Sequence, residues 1–122
     1  MITLLSETES DFIAVLVSEK LTGADSNTLT PHLENAIKAH GKIRLYWEMR
    51  DFEGWEATGF WKETQFDVNH ANDFTHIALV GEKRWQEWMT NLMKSFTSAD
   101  VRYFEVHERE VAIKWARDTA PK

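Results

Sequence analysis

KIRLYWEM, residues 42–49, alternates apolar and more polar side chains along its whole length. One set shares one side of an extended chain: Ile43, Leu45, Trp47 and Met49. The other set shares the opposite side: Lys42, Arg44, Tyr46 and Glu48. A period of two predicts a β-strand, and the difference between the sets predicts one covered face and one wetter face.

Upstream, two β-rich runs predict a hairpin. Ile2–Ser6 is a short apolar run, and Asp11–Ser18 is apolar on both alternating faces, which is typical of a central strand. The four polar residues between them suit a turn that joins antiparallel strands.

A helix is predicted between this hairpin and the strand at 42–49. Its apolar stripe comprises Leu29, Leu33, Ala36 and Ile37. We expect Pro31 in or near the first turn, where its missing N–H costs little, and Gly41 just past the last residue, His40.

Downstream, strands and helices alternate. The predicted elements are a helix from about Trp55 to Ala71, a strand at Thr75–Gly81, a helix at Lys83–Phe96, a strand at Ala99–Val106 and a helix at Glu108–Arg117. The order ββαβαβαβα predicts an α/β fold with a mostly parallel five-stranded sheet. The half-polar strand at 42–49 favours helices mainly on one face. At 122 residues the chain is expected to be a single domain, 1–122.

Composition excludes several functions. The net charge of −6 has no concentrated basic face, which argues against nucleic acid as a partner. There is no cysteine, so disulfides, thiolate catalysis and cysteine metal sites are excluded. The first residues lack the basic region of a signal peptide, and no stretch has the ~20 apolar residues of a membrane span. We expect a cytoplasmic protein.

The sequence lacks three motifs that are typical of enzymes. It has no Gly-x-Ser-x-Gly elbow, no Walker motif and no dinucleotide fingerprint. The carboxylates that gather after the strand are Glu48, Asp51, Glu53 and Glu56. They could form a general acid and base, or they could stabilise a helix N-terminus. We favour the structural role, and predict no catalytic residues, no cofactor and no enzyme activity.

A metal site is considered at two histidines, His70 and His76, with Asp67 and Asp73 nearby. The sequence has no His-Glu-x-x-His motif or similar carboxylate–histidine pair. We favour a solvated helix end in which these side chains satisfy backbone groups, and predict no metal.

Aromatic residues are the strongest pointer to function. Six tryptophans and seven phenylalanines are many for this length, and most are expected in the core. Those around the two central predicted helices could also line a small apolar pocket. The lining we predict is Trp55, Phe60, Trp61, Phe66 and Trp85.

The chain resembles the SpoIIAA-like bacterial proteins over nearly its whole length. The residues that carry the resemblance are Lys42-Ile43, Asp51-Phe52-Glu53-Gly54-Trp55, Trp61, Phe66, His70, Ile77-Ala78-Leu79-Val80-Gly81, Trp85, Val101-Arg102-Tyr103-Phe104, Ala112 and Trp115. The resemblance implies a STAS-like fold (sulfate transporter and anti-sigma antagonist), with helices largely along one face.

The resemblance also implies two kinds of function. Anti-sigma antagonists carry a phosphorylatable serine at the start of the helix after the third strand, but this chain has none there. A protein-docking loop at Asp51, Glu53, Gly54 and Trp55 is therefore the alternative. Similarity in architecture to lipid-carrying CRAL-TRIO domains favours our first expectation, an apolar or amphipathic ligand. The wetter sheet face and the aromatic surplus lead us to expect a homodimer.

Overall fold

The computed structural model describes residues 1–55, 72–82 and 97–119, with single positions at 84, 86, 90, 91 and 94. The elements with described bounds are β1 (Ile2–Leu4), β2 (Phe12–Leu21), α1 (Gly23–His40), β3 (Ile43–Trp55), β4 (Phe74–Gly81), β5 (Asp100–Glu105), a 3-10 turn (Val106–Glu108) and α2 (Arg109–Asp118). Their order confirms the predicted α/β class and the predicted sequence of five strands.

One five-stranded sheet organises the fold, in the order β1-β2-β3-β4-β5. β1 pairs antiparallel with β2, and the other neighbours pair in parallel. The predicted hairpin and the mostly parallel sheet are therefore confirmed.

Apolar cores lie on both faces of the sheet. One core joins Leu29 and Leu33 of α1 to the sheet, and the other joins Ala112 and Ala116 of α2 to it. The two helices with described bounds thus cover opposite faces. Whether helices crowd one face depends on segments outside the described residues, and that expectation stays a prediction.

The expected wetter face of β3 is wrong. Arg44, Tyr46 and Glu48 are only 7%, 0% and 2% exposed. The polar side chains suggested contact with water, but α2 packs over them and supplies partners for both charged groups. Polarity along β3 therefore marks buried hydrogen bonds and ion pairs.

Helix α1 begins at Gly23, eight residues before Pro31, so the expectation that Pro31 lies in or near the first turn is wrong. Thr22 is the N-cap: its hydroxyl accepts from Asp25 N at 3.1 Å, and Asp25 Oδ2 accepts from Thr22 N at 3.0 Å. This reciprocal capping box, with burial of the apolar stripe, stabilises the helix despite an interior proline. Gly41 ends the helix as predicted, with φ 83°.

Helix α2 is held by an arginine from β3. The Arg44 guanidinium donates to the carbonyl oxygens of Ala116 and Arg117, each at 3.2 Å, and to that of Thr119. These carbonyls have no partner within the helix, so a cation at this end satisfies them and opposes the helix dipole.

The helix predicted at Lys83–Phe96 is described at four helical positions, Arg84, Gln86, Thr90 and Asn91. Gln86 and Thr90 are fully buried, although both are polar. The Thr90 hydroxyl donates to the Gln86 carbonyl at 2.9 Å. The apolar stripe predicted for this helix lies outside the described residues: Trp85, Trp88, Met89, Leu92 and Phe96. The helix expected from about Trp55 to Ala71 lies outside them too, except for Trp55, which is the last residue of β3.

Candidate functional site

The predicted docking loop is part of a strand. β3 continues to Trp55, so Asp51, Glu53 and Gly54 lie within a strand beside β2 and do not form a junction before a helix. Of these three residues, Gly54 pairs with Lys20 of β2. Between Met49 and Phe52, and again between Phe52 and Gly54, β3 contains one residue more than β2. Each bulge shifts the two-residue alternation of side chains. The strand predicted from that alternation is therefore shorter than the strand in the structure.

Both bulges use left-handed backbone. Asp51 has φ 48° and Gly54 has φ 106°. Aspartate tolerates this region better than most residues, and glycine enters it without steric cost. Because of the first bulge, the Phe52 side chain lies on the α1 face of the sheet, where it is fully buried in the core. The Asp51 and Glu53 side chains are exposed.

Glu82 connects this bulged segment to the end of β4. Its Oε1 accepts a 2.8 Å hydrogen bond from the backbone N–H of Asp51. Its own N–H donates to Gln86 Oε1 at 3.0 Å, at the start of the next helical segment. One residue thus links β3, β4 and that segment.

Gly81, immediately before Glu82, leaves room for the Gln86 side chain. A Cβ at Gly81 would lie 2.2 Å from Gln86 Oε1 and 3.1 Å from the Tyr103 hydroxyl. The lack of a side chain therefore lets Gln86 approach the strand end closely enough to accept from Glu82.

A cleft of about 510 Å³ opens at this carboxyl end of the sheet. Its lining comprises Gly81, Glu82, Arg84, Tyr103, Glu105, Val106 and His107. Open parallel sheets commonly bind ligands outside the carboxyl ends of their strands, and the volume suits a small molecule. The walls mix apolar surface with both signs of charge.

Sequence reasoning predicted none of these lining residues as part of a site. It assigned Tyr103 and Val106 to a strand and Arg84 to a helix, and it left His107 between a strand and a helix. The carboxyl-end rule for parallel sheets, applied to the predicted ends of β4 and β5, would have found them.

A second polar group lies under α2, which we call the ion cluster: Glu7, Tyr46, Glu48, Arg50 and Arg109. Glu48 Oε1 accepts from the Tyr46 hydroxyl at 2.6 Å and from Arg109 Nε at 2.7 Å, and Arg50 Nε donates to its other oxygen. Arg109 also donates to Glu7 at 3.1 Å. The cluster joins the β1–β2 turn, β3 and α2.

Contacts within the ion cluster keep its carboxylates and arginines charged. Burial alone would raise the pKa of Glu48, but hydrogen bonds from Tyr46, Arg109 and Arg50 outweigh it and hold that pKa below its usual value. Burial and the neighbouring carboxylate raise the pKa of Tyr46. Proton transfer near pH 7 is therefore disfavoured at both residues.

The predicted carboxylate group is not assembled. Glu48 is buried in the ion cluster, whereas Asp51 and Glu53 are exposed on the bulged part of β3. Glu56 lies outside the described residues. The buried carboxylate is neutralised by two arginines, and the other two carboxylates are at the surface.

The predicted ligand lining is largely outside the described residues. Phe60, Trp61, Phe66 and Trp85 belong to that part, and Trp55 is described only as the last residue of β3. These five residues stay a prediction.

Metal ligation has no support in the described part of the chain, where no three His, Asp or Glu side chains are close enough to share an ion. His76, one of the histidines considered from the sequence, is buried edge-on against the Trp115 ring, with centroids 5.2 Å apart. Its Nδ1 lies 3.0 Å from the Thr75 hydroxyl.

Comparison with known proteins gives a consistent result. A family model described as SpoIIAA-like matches residues 12–117. A crystal structure of an uncharacterized protein from the DUF3478 family with a SpoIIAA-like fold, from Shewanella loihica PV-4, superposes with a TM-score of 0.78 at 24% identity. The alignment covers 94% of this chain and 93% of that one. Among curated proteins, none matches the sequence.

Proposed function

This chain belongs to the SpoIIAA-like family, and we propose that it acts there as a non-enzymatic cytoplasmic protein that binds a small apolar or amphipathic, lipid-like molecule. The observation that carries the proposal is the cleft at the carboxyl ends of β4 and β5. None of the described helices has the length and apolar composition needed to cross a bilayer.

The chemistry of the cleft suits an amphipathic ligand. Tyr103 and Val106 offer apolar surface, while Arg84 and His107 offer donors to a polar head group. Arg84 is also next to Trp85, one of the aromatics predicted to line a pocket.

The ion cluster supports binding over catalysis. Groups that transfer protons at neutral pH usually have pKa values moved toward 7. In the ion cluster the pKa of Glu48 is lowered and those of Tyr46 and Arg109 are raised, so all three move away from neutrality. The cluster is better suited to holding α2 on the sheet.

Thermal unfolding with defined amphiphiles tests the proposal. Dodecanoate and dodecylphosphocholine, kept below their micelle concentrations, should raise the melting temperature saturably and change tryptophan fluorescence. Val106→Asp should abolish both effects because it places a charge in the cleft. Val111→Asp is the matched control, since Val111 is 61% exposed and outside the cleft lining. Equal shifts in the two variants, or no saturable shift with either amphiphile, would contradict this ligand class.

Protein docking on the bulged part of β3 is the second candidate. Asp51 and Glu53 are exposed acids on a segment that Glu82 holds in place, so they could meet a basic partner surface. A partner isolated with the wild-type chain should be lost with Glu53→Lys or Trp55→Ala. It should be retained with Glu110→Lys, which reverses an exposed charge on α2. A partner that is indifferent to the first two changes would exclude this segment.

A further inference from the structure

The two edges of the sheet differ in how they are protected. β1 is only three residues long, which limits the backbone it could offer to another strand. β5 is six residues long and pairs with β4 from His76↔Asp100 to Gly81↔Glu105 without a register shift. No other strand in the described part of the chain pairs with β5.

β5 carries three charged side chains but lacks several other devices that prevent edge-to-edge pairing. Its sequence, DVRYFE, has no proline, no lysine and no bulge. Tyr103 packs partly against the core on the α1 face and Phe104 against the core on the α2 face, and both remain partly exposed. A regular edge with apolar surface on both faces favours addition of another strand.

The charges on β5 select the strand that could be added. Asp100 and Arg102 are two residues apart, so their side chains share a face, and Arg102 Nε lies 3.8 Å from Asp100 Oδ1. An antiparallel copy of β5 centred on Val101 would place each Asp100 opposite the other copy's Arg102. Opposite charges directly across two strands stabilise the pairing.

We propose that two copies of this chain associate antiparallel at the β5 edge, about a two-fold axis at Val101, to form one continuous ten-stranded sheet. In this register residues 100–102 of one copy lie opposite residues 102–100 of the other, and residues 103–105 of each copy lie beside residues 99–97 of the other. The two-fold axis is perpendicular to the sheet. It therefore places Asp100 of one copy and Arg102 of the other on the same face of the joined sheet, as their pairing requires. The proposal gives the expected homodimer a specific interface, and it does not depend on the proposed ligand.

Charge exchange tests the pairing. Sedimentation over a dilution series should show a monomer–dimer equilibrium for the wild type. Asp100→Arg should weaken association by about tenfold or more, because both cross-strand pairs become repulsive. The double variant Asp100→Arg/Arg102→Asp should recover it, since the pairs are restored with exchanged signs.

The controls separate association from folding. Asp100→Arg leaves Arg102 in place over the Trp115 ring, where its guanidinium carbon is 5.0 Å from the ring centroid. Circular dichroism should therefore show a folded monomer. Glu110→Arg, an exposed change on α2, should dimerise like the wild type. A wild type that stays monomeric at millimolar concentration, or a dimer unaffected by Asp100→Arg, would overturn the proposal.

Disulfide trapping tests the register, since the chain has no cysteine of its own. Asp100→Cys and Arg102→Cys, purified separately and then mixed under mild oxidation, should form a crosslinked heterodimer. Each variant alone should crosslink far less, because identical positions are not opposite each other. Crosslinking of Arg102→Cys with itself at the rate of the mixture, or none in the mixture, would refute pairing about Val101.

Discussion

Glu48 on β3 accepts a 2.7 Å hydrogen bond from Nε of Arg109 at the start of α2, 61 residues later in the chain. The Glu48 side chain is 3% exposed and that of Arg109 is 30% exposed. This ion pair joins the sheet to the helix that covers its second face. Its removal should therefore affect the seating of α2 before it affects the core on the α1 face.

Replacing Arg109 by alanine should lower the free energy of unfolding by about 3 kcal/mol, the lower end of the range for breaking a buried pair. The loss stays at that end because Arg50 still donates to Glu48. Glu48→Leu/Arg109→Met should be far less destabilised than either single change, since no buried charge is left unpaired. Urea denaturation of the wild type, Glu48→Leu, Arg109→Met and the double variant measures the coupling, and additive losses would argue against the pair.

Acid should destabilise the protein partly through Glu48. Its folded-state pKa lies below its usual value near 4.5, so the unfolded chain takes up the proton first as pH falls. The stabilisation is complete above about pH 4.5 and is lost as pH falls through the folded-state pKa. Glu48→Gln should therefore unfold with a shallower pH dependence in this window, as measured by urea titrations at several pH values. An unchanged slope would contradict the assignment.

Gly81→Ala should destabilise the protein by about 1–3 kcal/mol, the usual cost of overpacking. The new Cβ would displace Gln86 Oε1 and remove the acceptor for Glu82 N–H. In a Gln86→Ala background the same glycine change should cost much less, because the clashing side chain is gone. Equal costs in both backgrounds would mean that the close approach is unimportant.

Thr22→Ala should cost about 1 kcal/mol, since the N-cap hydroxyl of α1 is lost. Thr22→Ser keeps the hydroxyl and should stay close to the wild type. Thermal unfolding compares the two. Similar melting temperatures would show that the capping box does not offset the interior proline.

Local pattern was sufficient for most of the fold. The alternation at 42–49, the apolar run of β2 and the glycine after His40 predicted strands and a helix end that the structure confirms. These features depend on residues close in sequence, whose periodicity and backbone preferences act in any context.

The bulged end of β3 could not be predicted from local sequence pattern. Asp51 and Gly54 adopt left-handed backbone only because β2 continues alongside and the Glu82 carboxylate accepts from Asp51 N–H. An extra residue breaks the two-residue alternation of side chains from which the strand was predicted. The predicted strand therefore ended at Met49.

By itself, the sequence determined the five strands, the α/β class and the mostly parallel sheet, because period and turn chemistry are local properties. Only the tertiary structure decided that both faces of β3 are covered, and that its polar side chains are buried. The physical reason is charge pairing over long sequence distances: Arg44 reaches the end of α2, and Glu48 meets Arg109. A buried charge is stable only beside its partner, and that partner is chosen by the fold.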